Sequence, residues 1–520
     1  MTHVTLRGSL VLVASPYSDA NVERAKSIPG GRWIKEMKVW SYPLSALPDI
    51  RAKYNGEATY ADEIAALQTA ESARLADVDV TIAKYLVPLP DGRPLRKHQI
   101  EGIPILIREK KIILHDDTGL GKTITALLAA KWWKKERGCR VLIIAPVNSH
   151  DQWYAACRLL NIIPEGVYSW AATNVPTPDV PYILIGDEAH FAQNVQSKRT
   201  KRFLFLAENA RAVYALTATP MKNALPKNIF PLLVAVGNPL GNSRSSFEKR
   251  YCGAKQTKWS RWDTSGAEHL EELHALIAPS MLGRKKKDCL DLPPLQRVLV
   301  PAEVSAADAD RYHAEVQEAI GVYEKGGAEE KKLATGLCWA QKHAAARAKI
   351  PAVAAAMQEL KENGRRSISF CTNIDVAEEL ARILKCDAIT SHATPDERTA
   401  YKLKFARGGA DYLCLTHGVG GSAIDGLQHA ASDLFLLDRP WTPGDCEQVE
   451  GRLDRDGQTT PVMSFWTQWG VADFKFDPIL DEKADRIDMV IDGALQGLPR
   501  AVSLDSFASQ LAQEIIKSEK

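Results

Sequence analysis

Two hydrophobic patterns alternate along most of this chain. Short unbroken apolar runs such as Lys111–Leu114 and Tyr182–Ile185 have the length and make-up of strands buried on both faces. Stretches of helical spacing follow them, the clearest being Ile124 to Trp133. In the second half the runs Ser367–Cys371, Tyr412–Leu415, Leu434–Leu437 and Val462–Trp466 predict strands, with helices over Val376–Leu384 and Glu397–Phe405. Strand alternating with helix is the signature of doubly wound parallel sheets, so an α/β class with one such sheet in each half is expected.

The first 56 residues read differently. Thr5–Val13 predicts a strand, Asp19–Ile28 a helix, and Gly30-Gly31-Arg32-Trp33 a turn into a hairpin that ends at Val39–Leu44. This is a small mixed α+β module. Ala61–Ala76, rich in Ala and Glu at helical spacing, predicts a connecting helix, Val87–Gly92 a hinge, and Asp481–Leu495 a bracing helix. The expected organisation is a module at 1–60, a connector at 61–90, a first lobe at 91–295, a second at 296–480 and brace helices at 481–520.

Composition narrows the classes. Apolar content of 45% and charged content of 25% are ordinary for a globular protein, and 520 residues suffice for two to four domains. The apolar run near the start, Leu10–Val13, is too short for a signal peptide, and no stretch reaches the roughly 18 apolar residues of a membrane span, so no membrane partner is expected. Nine cysteines lie singly between Cys139 and Cys446, with no Cys-x-x-Cys pair, against both a zinc module and a disulfide framework. A reducing compartment follows. The net charge of +2 is silent on nucleic acid, so any polyanion binding must come from local patches.

The candidate chemistry starts after the Lys111–Leu114 run, where His115-Asp-Asp-Thr-Gly-Leu-Gly-Lys-Thr123 leads into a helix. Strand, glycine loop and helix is the context of a phosphate-binding loop. Thr118, Gly119, Leu120, Gly121, Lys122, Thr123 and Ile124 would cradle a nucleotide: backbone N–H groups face the phosphates, Lys122 reaches the β- and γ-phosphates, and the Thr123 hydroxyl holds Mg²⁺. Asp116 replaces the first glycine of the general pattern. Downstream, Tyr182-Ile-Leu-Ile-Gly ends in Asp187-Glu188-Ala189-His190, carboxylates at the end of a strand where open α/β sheets bind ligands. Asp187 would hold Mg²⁺, and Glu188 would deprotonate the attacking water. In Gln448-Val-Glu-Gly-Arg452-Leu-Asp-Arg455, the two arginines are three apart, one helical turn, and would stabilise charge on a transferring phosphoryl.

These strings, in this order, resemble superfamily-2 helicases from about Leu95 to Gln458. Leu95-Arg-Lys-His-Gln99 looks like the adenine-reading Q motif with Gln99 as reader, Val141 to Trp153 like motif Ia, and Leu216-Thr-Ala-Thr-Pro220 like motif III. Gln448, Gly451, Arg452 and Arg455 match motif VI. The resemblance implies two RecA-like lobes, ATP with Mg²⁺ as cofactors, and catalytic roles for Lys122, Asp187, Glu188, Gln448, Arg452 and Arg455. Phe247–Tyr251 with Met281–Pro294 is similar to the helical insertion (about 222–295) and basic box of Swi/Snf-type ATPases. Tyr251–Gln256, Leu270–Leu273 and Arg347–Val353 are similar to the annealing-helicase branch. His115 stands where alanine is usual. In motif V, Gly420–Gly426 departs from the group's pattern, with Asp425 standing in for an asparagine at the nucleotide.

In residues 1–56, eight Lys or Arg face four Asp or Glu. Trp33, Lys35, Lys38, Trp40 and Tyr42 interleave aromatic and basic side chains, as stacking and phosphate contact on DNA require. The alternative is that Trp33 and Trp40 form the core of a small domain. The segment resembles a HARP module, which implies recognition of branched DNA by Trp33, Lys35 and Lys38. The expected activity is an ATP-dependent translocase that remodels or anneals duplex, forked or four-way-junction DNA, with single-strand-binding or replication proteins as partners. A strand-separating helicase and a translocase that displaces DNA-bound proteins are the alternatives. Such a protein belongs in the nucleoid-bearing cytoplasm of a bacterium or its virus, or in a eukaryotic nucleus.

Overall fold

Lys111–Leu114 lies one strand in from the edge of a six-stranded sheet ordered Met281–Leu282, Lys111–Leu114, Ala212–Leu216, Tyr182–Asp187, Arg140–Ala145 and Gly166–Ser169, with every pair parallel. A computed structural model shows this, describing residues 2–7, 10–28, 31–35, 37–43, 46–62, 64, 78–256, 262–324, 330–420 and 426–493. A second six-stranded parallel sheet runs Leu295–Pro301, Val462–Gln468, Asp433–Leu436, Ser367–Cys371, Tyr412–Thr416 and Asp387–Ile389. The inner strands are buried on both faces because helices cover each side; Ile113, Leu142, Ile185 and Val213 have no exposed surface. These are the two RecA-like lobes, and the α/β class stands.

The N-terminal module is a five-stranded sheet, and one expectation there is corrected. Thr5–Val13 is not one strand: Thr2–Arg7 pairs antiparallel with Leu10–Ala14, Arg7 opposite Leu10. The polar break Arg7-Gly8-Ser9 between the two apolar halves is the sequence sign of that reversal. Arg32–Ile34 and Val39–Pro43 form the expected hairpin, with Trp33 opposite Trp40 and ring centroids 5.7 Å apart. Tyr42 is fully buried and its hydroxyl donates to the Ala25 carbonyl at 2.9 Å. Trp40 packs partly against this core, whereas Trp33 is 51% exposed. The connecting helix expected over Ala61–Ala76 falls almost wholly outside the described residues.

The brace also differs. The helix runs Gly470–Ile491, beginning well before Asp481, and 494–520 lie outside the described residues. Its first half breaks the apolar rhythm because buried Asp473 and Asp477 face charged partners: Lys349 Nζ sits 2.5 Å from Asp473, and Arg439 2.8 Å from Asp477. Phe476 and Leu480 pack into the second lobe's core, while Met489, Val490 and Ile491 pack into the first lobe's. One helix therefore pins both lobes. His274 Nδ1 meets the Val490 carbonyl at 2.9 Å, and Lys285 pairs with Asp492 at 2.7 Å.

Lys349 is a stability test. It has no exposed surface, and Asp473 would be left as a buried charge without it. Lys349→Met is expected to cost about 3–5 kcal/mol in chemical denaturation, and Lys349→Met with Asp473→Asn to regain most of that. Equal losses in the single and double variants would refute the pairing.

Candidate nucleotide-binding cleft

The loop after Lys111–Leu114 turns twice through left-handed backbone, Gly119 at φ 85° and Gly121 at φ 83°, and leads straight into the helix Lys122–Arg137. Only glycine holds such angles without strain, and the turn points first-turn N–H groups of Lys122, Thr123 and Ile124 back over the loop. Leu120 anchors the loop with no exposed surface. Lys122 Nζ donates to the carbonyls of Asp116 at 2.6 Å and Asp117 at 3.2 Å, folded over the cradle that phosphates would fill. Gln99 lies in the first turn of the helix Lys97–Glu109; its Oε1 accepts the Arg96 N–H at 3.1 Å. Its Nε2 stands 2.6 Å from where a Cβ on Gly121 would sit, so Gln99 abuts the loop directly.

Asp116 explains itself in this setting. Its carboxylate is wholly buried and accepts Arg284 Nη1 at 2.9 and 3.2 Å. Burial pushes the Asp116 pKa up, and Arg284 and Lys122 oppose that rise. The Arg284 guanidinium also donates to the His98 carbonyl, and the His98 ring meets the Leu120 carbonyl at 2.8 Å. Asp117 accepts the Lys286 N–H at 2.8 Å through its side chain. The basic box thus lies along the phosphate loop, which sequence reading did not anticipate. An acid in place of a glycine, with an isolated arginine downstream, was the available signal.

Across from Lys122, Asp187 ends the strand Tyr182–Asp187. Its Oδ2 accepts the Trp153 indole N–H at 2.8 Å, and its carbonyl accepts that of Trp170 at 2.8 Å. Trp153 was read as part of a motif, but not as the clamp on this carboxylate. Burial and then the neighbouring Glu188 charge push Asp187 up to about 6. Burial would raise Glu188 too, but the hydrogen bond and charge of His190, with Lys122 and Lys222, hold it below the usual range. Glu188 has φ 49°, a strained left-handed angle for a side-chain-bearing residue. His190 Nδ1 lies 3.2 Å from Glu188 and 3.1 Å from Thr217 Oγ1, joining this corner to the Leu216–Pro220 segment.

A nucleotide with Mg²⁺ fits these residues. Glu188 Oε2 is buried with the His190 ring 3.2 Å away, and the Glu188 charge raises the neighbouring Asp187, a repulsion that a cation would relieve. Among the described residues no cluster of three protein ligands is present. That suits Mg²⁺, which takes one or two protein oxygens and completes its shell with phosphate and water. Asp187, at the end of its strand, and Thr123, in the first turn after the loop, are the residues that would hold it.

Motif VI is corrected in form. The helix Pro443–Glu450 stops at Gly451, so Arg452 and Arg455 lie in the tight turns that follow and do not share a helical face; Gln448 is on the helix's last turn. Glu450 is the cause. It is buried and drawn inward by Arg297 Nη2 at 2.7 Å, Ser464 Oγ at 2.9 Å and Trp466 Nε1 at 3.2 Å. The turn still reaches the first lobe: Arg455 Cβ is 3.6 Å from where a Cβ on Gly119 would be. Asp425 lies outside the described residues. Trp33, Lys35 and Lys38 come together around the exposed hairpin of the N-terminal module, with the Lys38 N–H donating to the Lys35 carbonyl at 3.4 Å.

The SNF2-related domain family matches residues 174–348, and the DEAD/DEAH box helicase family matches 96–152. Over 491 residues it is 28% identical to "SWI/SNF-related matrix-associated actin-dependent regulator of chromatin subfamily A-like protein 1" of Xenopus tropicalis, covering 87% of this chain and 49% of that protein. Over 459 residues it is 24% identical to "DNA annealing helicase and endonuclease ZRANB3" of Mus musculus, covering 79% and 42%. The chain therefore spans about half the length of the curated relatives it matches. A solved "Sulfolobus solfataricus SWI2/SNF2 ATPase core in complex with dsDNA" aligns over 83% of this chain and 97% of that one, at 20% identity and a TM-score of 0.36. The two helicase matches flank the cleft: one contains the helix of Gln99 and the phosphate loop, the other the Asp187–Glu188 corner.

Asp116→Gly, which restores the glycine of the general loop pattern, tests how this helicase loop is held. Asp116 is not at positive φ, so glycine's freedom is not needed there, and the change removes the partner of Arg284. Nucleotide affinity by titration calorimetry is expected to fall about 3- to 10-fold, the scale of one ordinary hydrogen bond, because Asp116 supports the loop without touching the nucleotide. Tighter binding would show that Asp116 is not a support.

Proposed function

We propose that this chain is an ATP-dependent DNA translocase that remodels or anneals branched DNA. The observation that carries this reading is the cleft. Phosphate loop, paired carboxylates and the arginine turn converge from two parallel sheets, with the loop's Gly119 against Arg455. Lys122 leaves its carbonyl partners for the β- and γ-phosphates, Asp187 and Thr123 hold Mg²⁺, and Glu188, kept anionic by His190, takes the proton of the attacking water. Gln99 reads the adenine edge, Gln448 positions the water, and Arg452 and Arg455 stabilise the charge on the phosphoryl in flight. Arg455 acts from the second lobe, so hydrolysis waits on closure, and closure is where a DNA track gains leverage.

The two curated relatives support the substrate class, one being named an annealing helicase. Duplex DNA would cross both lobes. The N-terminal module, read as HARP-like, would grip the branch through Trp33, which is half exposed, and through Lys35 and Lys38. A DNA track places the protein in a nucleus or nucleoid, where single-strand-binding and replication proteins are its natural partners. Among the described residues no helix is long and apolar enough to cross a membrane.

Three variants and one substrate panel test the reading. Hydrolysis measured with forked, four-way and nicked duplex DNA should rise strongly over the DNA-free rate, and equal turnover would count against a translocase. Lys122→Ala should abolish hydrolysis while leaving DNA binding within about twofold, since the residue touches phosphate and not the track. Arg455→Ala should bind ATP nearly normally but turn over roughly 10³-fold more slowly. Deleting 1–60 should spare duplex-stimulated hydrolysis and weaken fork remodelling; full remodelling by the shortened chain would move branch recognition into the lobes. Strand displacement exceeding annealing on the same panel would favour the helicase alternative.

A further inference from the structure

The segment 284–286 contacts both halves of the motor at once. Arg284, 15% exposed at its side chain, holds the buried Asp116 carboxylate and the His98 carbonyl, so it fixes the phosphate loop against the helix of Gln99. Two residues on, Lys286 donates its backbone N–H to Asp117 in the same loop. Its side chain goes the other way, to the second lobe: Nζ meets the Asp454 carboxylate at 2.6 Å and the Asp454 carbonyl at 2.5 Å. Asp454 is the residue before Arg455. Lys286 and Asp454 are 12% and 17% exposed at their side chains, so solvent screens the pair far less than a surface ion pair.

We infer that Lys286 is a positioning residue which couples arrival of the arginine turn to the geometry of the phosphate loop, so that loop and arginines are set together when the lobes close. This rests on the ATP-hydrolysing reading above and adds how that site is regulated. The geometry supports a coupling rather than a plain lobe contact. The backbone of Lys286 belongs to the loop and its ammonium to the turn, with one residue spanning both. Arg284 makes the loop end rigid, so a pull on Lys286 is transmitted instead of absorbed. Lys222 with Asp445, at 2.8 Å, is a second bridge between the lobes, but it touches neither the phosphate loop nor the arginine turn. It is the control for charge rescue and not for rate, because the Lys222 charge also helps hold Glu188 anionic.

The two bridges should separate kinetically. Lys286→Glu is expected to lower kcat for ATP, in the presence of duplex DNA, about tenfold while changing KM less than about threefold, because the ground-state phosphate contacts remain. Asp454→Lys alone should do the same. The double variant Lys286→Glu with Asp454→Lys restores opposite charges and should recover kcat to within about threefold of wild type, which general damage would not do. Lys222→Glu, which also removes a charge that holds Glu188 anionic, should lower kcat without being rescued by Asp454→Lys. Single variants at wild-type kcat, or a double no faster than the slower single, overturn the coupling. A wild-type chain that hydrolyses no ATP sinks the motor reading instead. The bridge is then judged by small-angle scattering: Lys286→Glu must raise the radius of gyration and the double variant must lower it again. Unchanged scattering across the three proteins would overturn it too.

Discussion

A wholly buried carboxylate at the foot of the phosphate loop constrains much of the rest. Asp116 has no exposed surface, and a charge so placed is costly unless an opposite charge meets it with good geometry. Arg284 meets it, from a point 168 residues later in the chain. That requirement fixes where the chain must pass on leaving the first lobe. Met281–Leu282 pairs with Ile113–Leu114 as an edge strand, the His115 N–H donates to the Leu282 carbonyl, and the Asp117 N–H to that of Arg284. Once the segment lies there, Lys285 is beside Asp492 of the long helix and Lys286 beside Asp454 of the second lobe. One ion pair thus sets the path on which the lobe contacts depend.

The parallel sheets supply the other half of the arrangement. In each, the strands' carboxyl ends face the cleft, so Asp187 and Asp438 occupy equivalent exits in the two lobes. They are handled differently. Asp438 is buried, yet the hydrogen bond and charge of His417, the Lys342 charge and the Thr372 N–H at 2.7 Å hold it well below the ordinary carboxylate range. Asp187 has Trp153, Lys122 and the Glu188 N–H in its favour, but burial and the Glu188 charge outweigh them and raise it. A carboxylate already compensated by protein has little left for a ligand. The less compensated one, beside the strained Glu188, is where a cation has most to offer.

Legibility in the sequence followed how local the determining interaction is. Ser367–Cys371 is found where its apolar run placed it, and the glycine loop with its helix likewise, because continuous burial and left-handed glycine are local rules. The helicase resemblance also agrees with the family matches, its annealing-helicase branch with the name of a curated relative, and the α/β class with the two parallel sheets. Partners distant in sequence were the weak point. The first half of the helix Gly470–Ile491 lies outside the expected brace because Asp473 and Asp477 interrupt its apolar rhythm, while in the fold they meet Lys349 and Arg439. The single strand expected over Thr5–Val13 fails where Arg7-Gly8-Ser9 interrupts the apolar residues, a turn signal that outweighs the apolar content on either side. Trp33 and Trp40 oppose each other across one hairpin, yet only Trp40 packs against the core. Periodicity assigns a face, not what covers it.

The arginine turn shows why a correction of local form need not undo a site. On a helix, Arg452 and Arg455 would have been aligned by their spacing alone. In the turn they are aligned by its two ends. Glu450 is fixed in the second lobe's core at one end, and Gln458 at the other, its side-chain N–H groups donating to the carbonyls of Ala431 at 3.1 Å and Leu453 at 3.3 Å. Leu453, fully buried between the arginines, leaves the turn no freedom to rotate. From this plug Asp454 and Asp456 face the first lobe, to Lys286 and Arg96, and Arg96 also donates to the Gly119 carbonyl at 3.2 Å. A helix would transmit lobe motion along its axis, with each arginine displaced by its own height. A pinned turn moves as one body, so Arg452 and Arg455 shift together relative to the phosphate loop. That is the behaviour a closure-gated site requires, and it follows from burying Glu450 rather than from the spacing of the arginines.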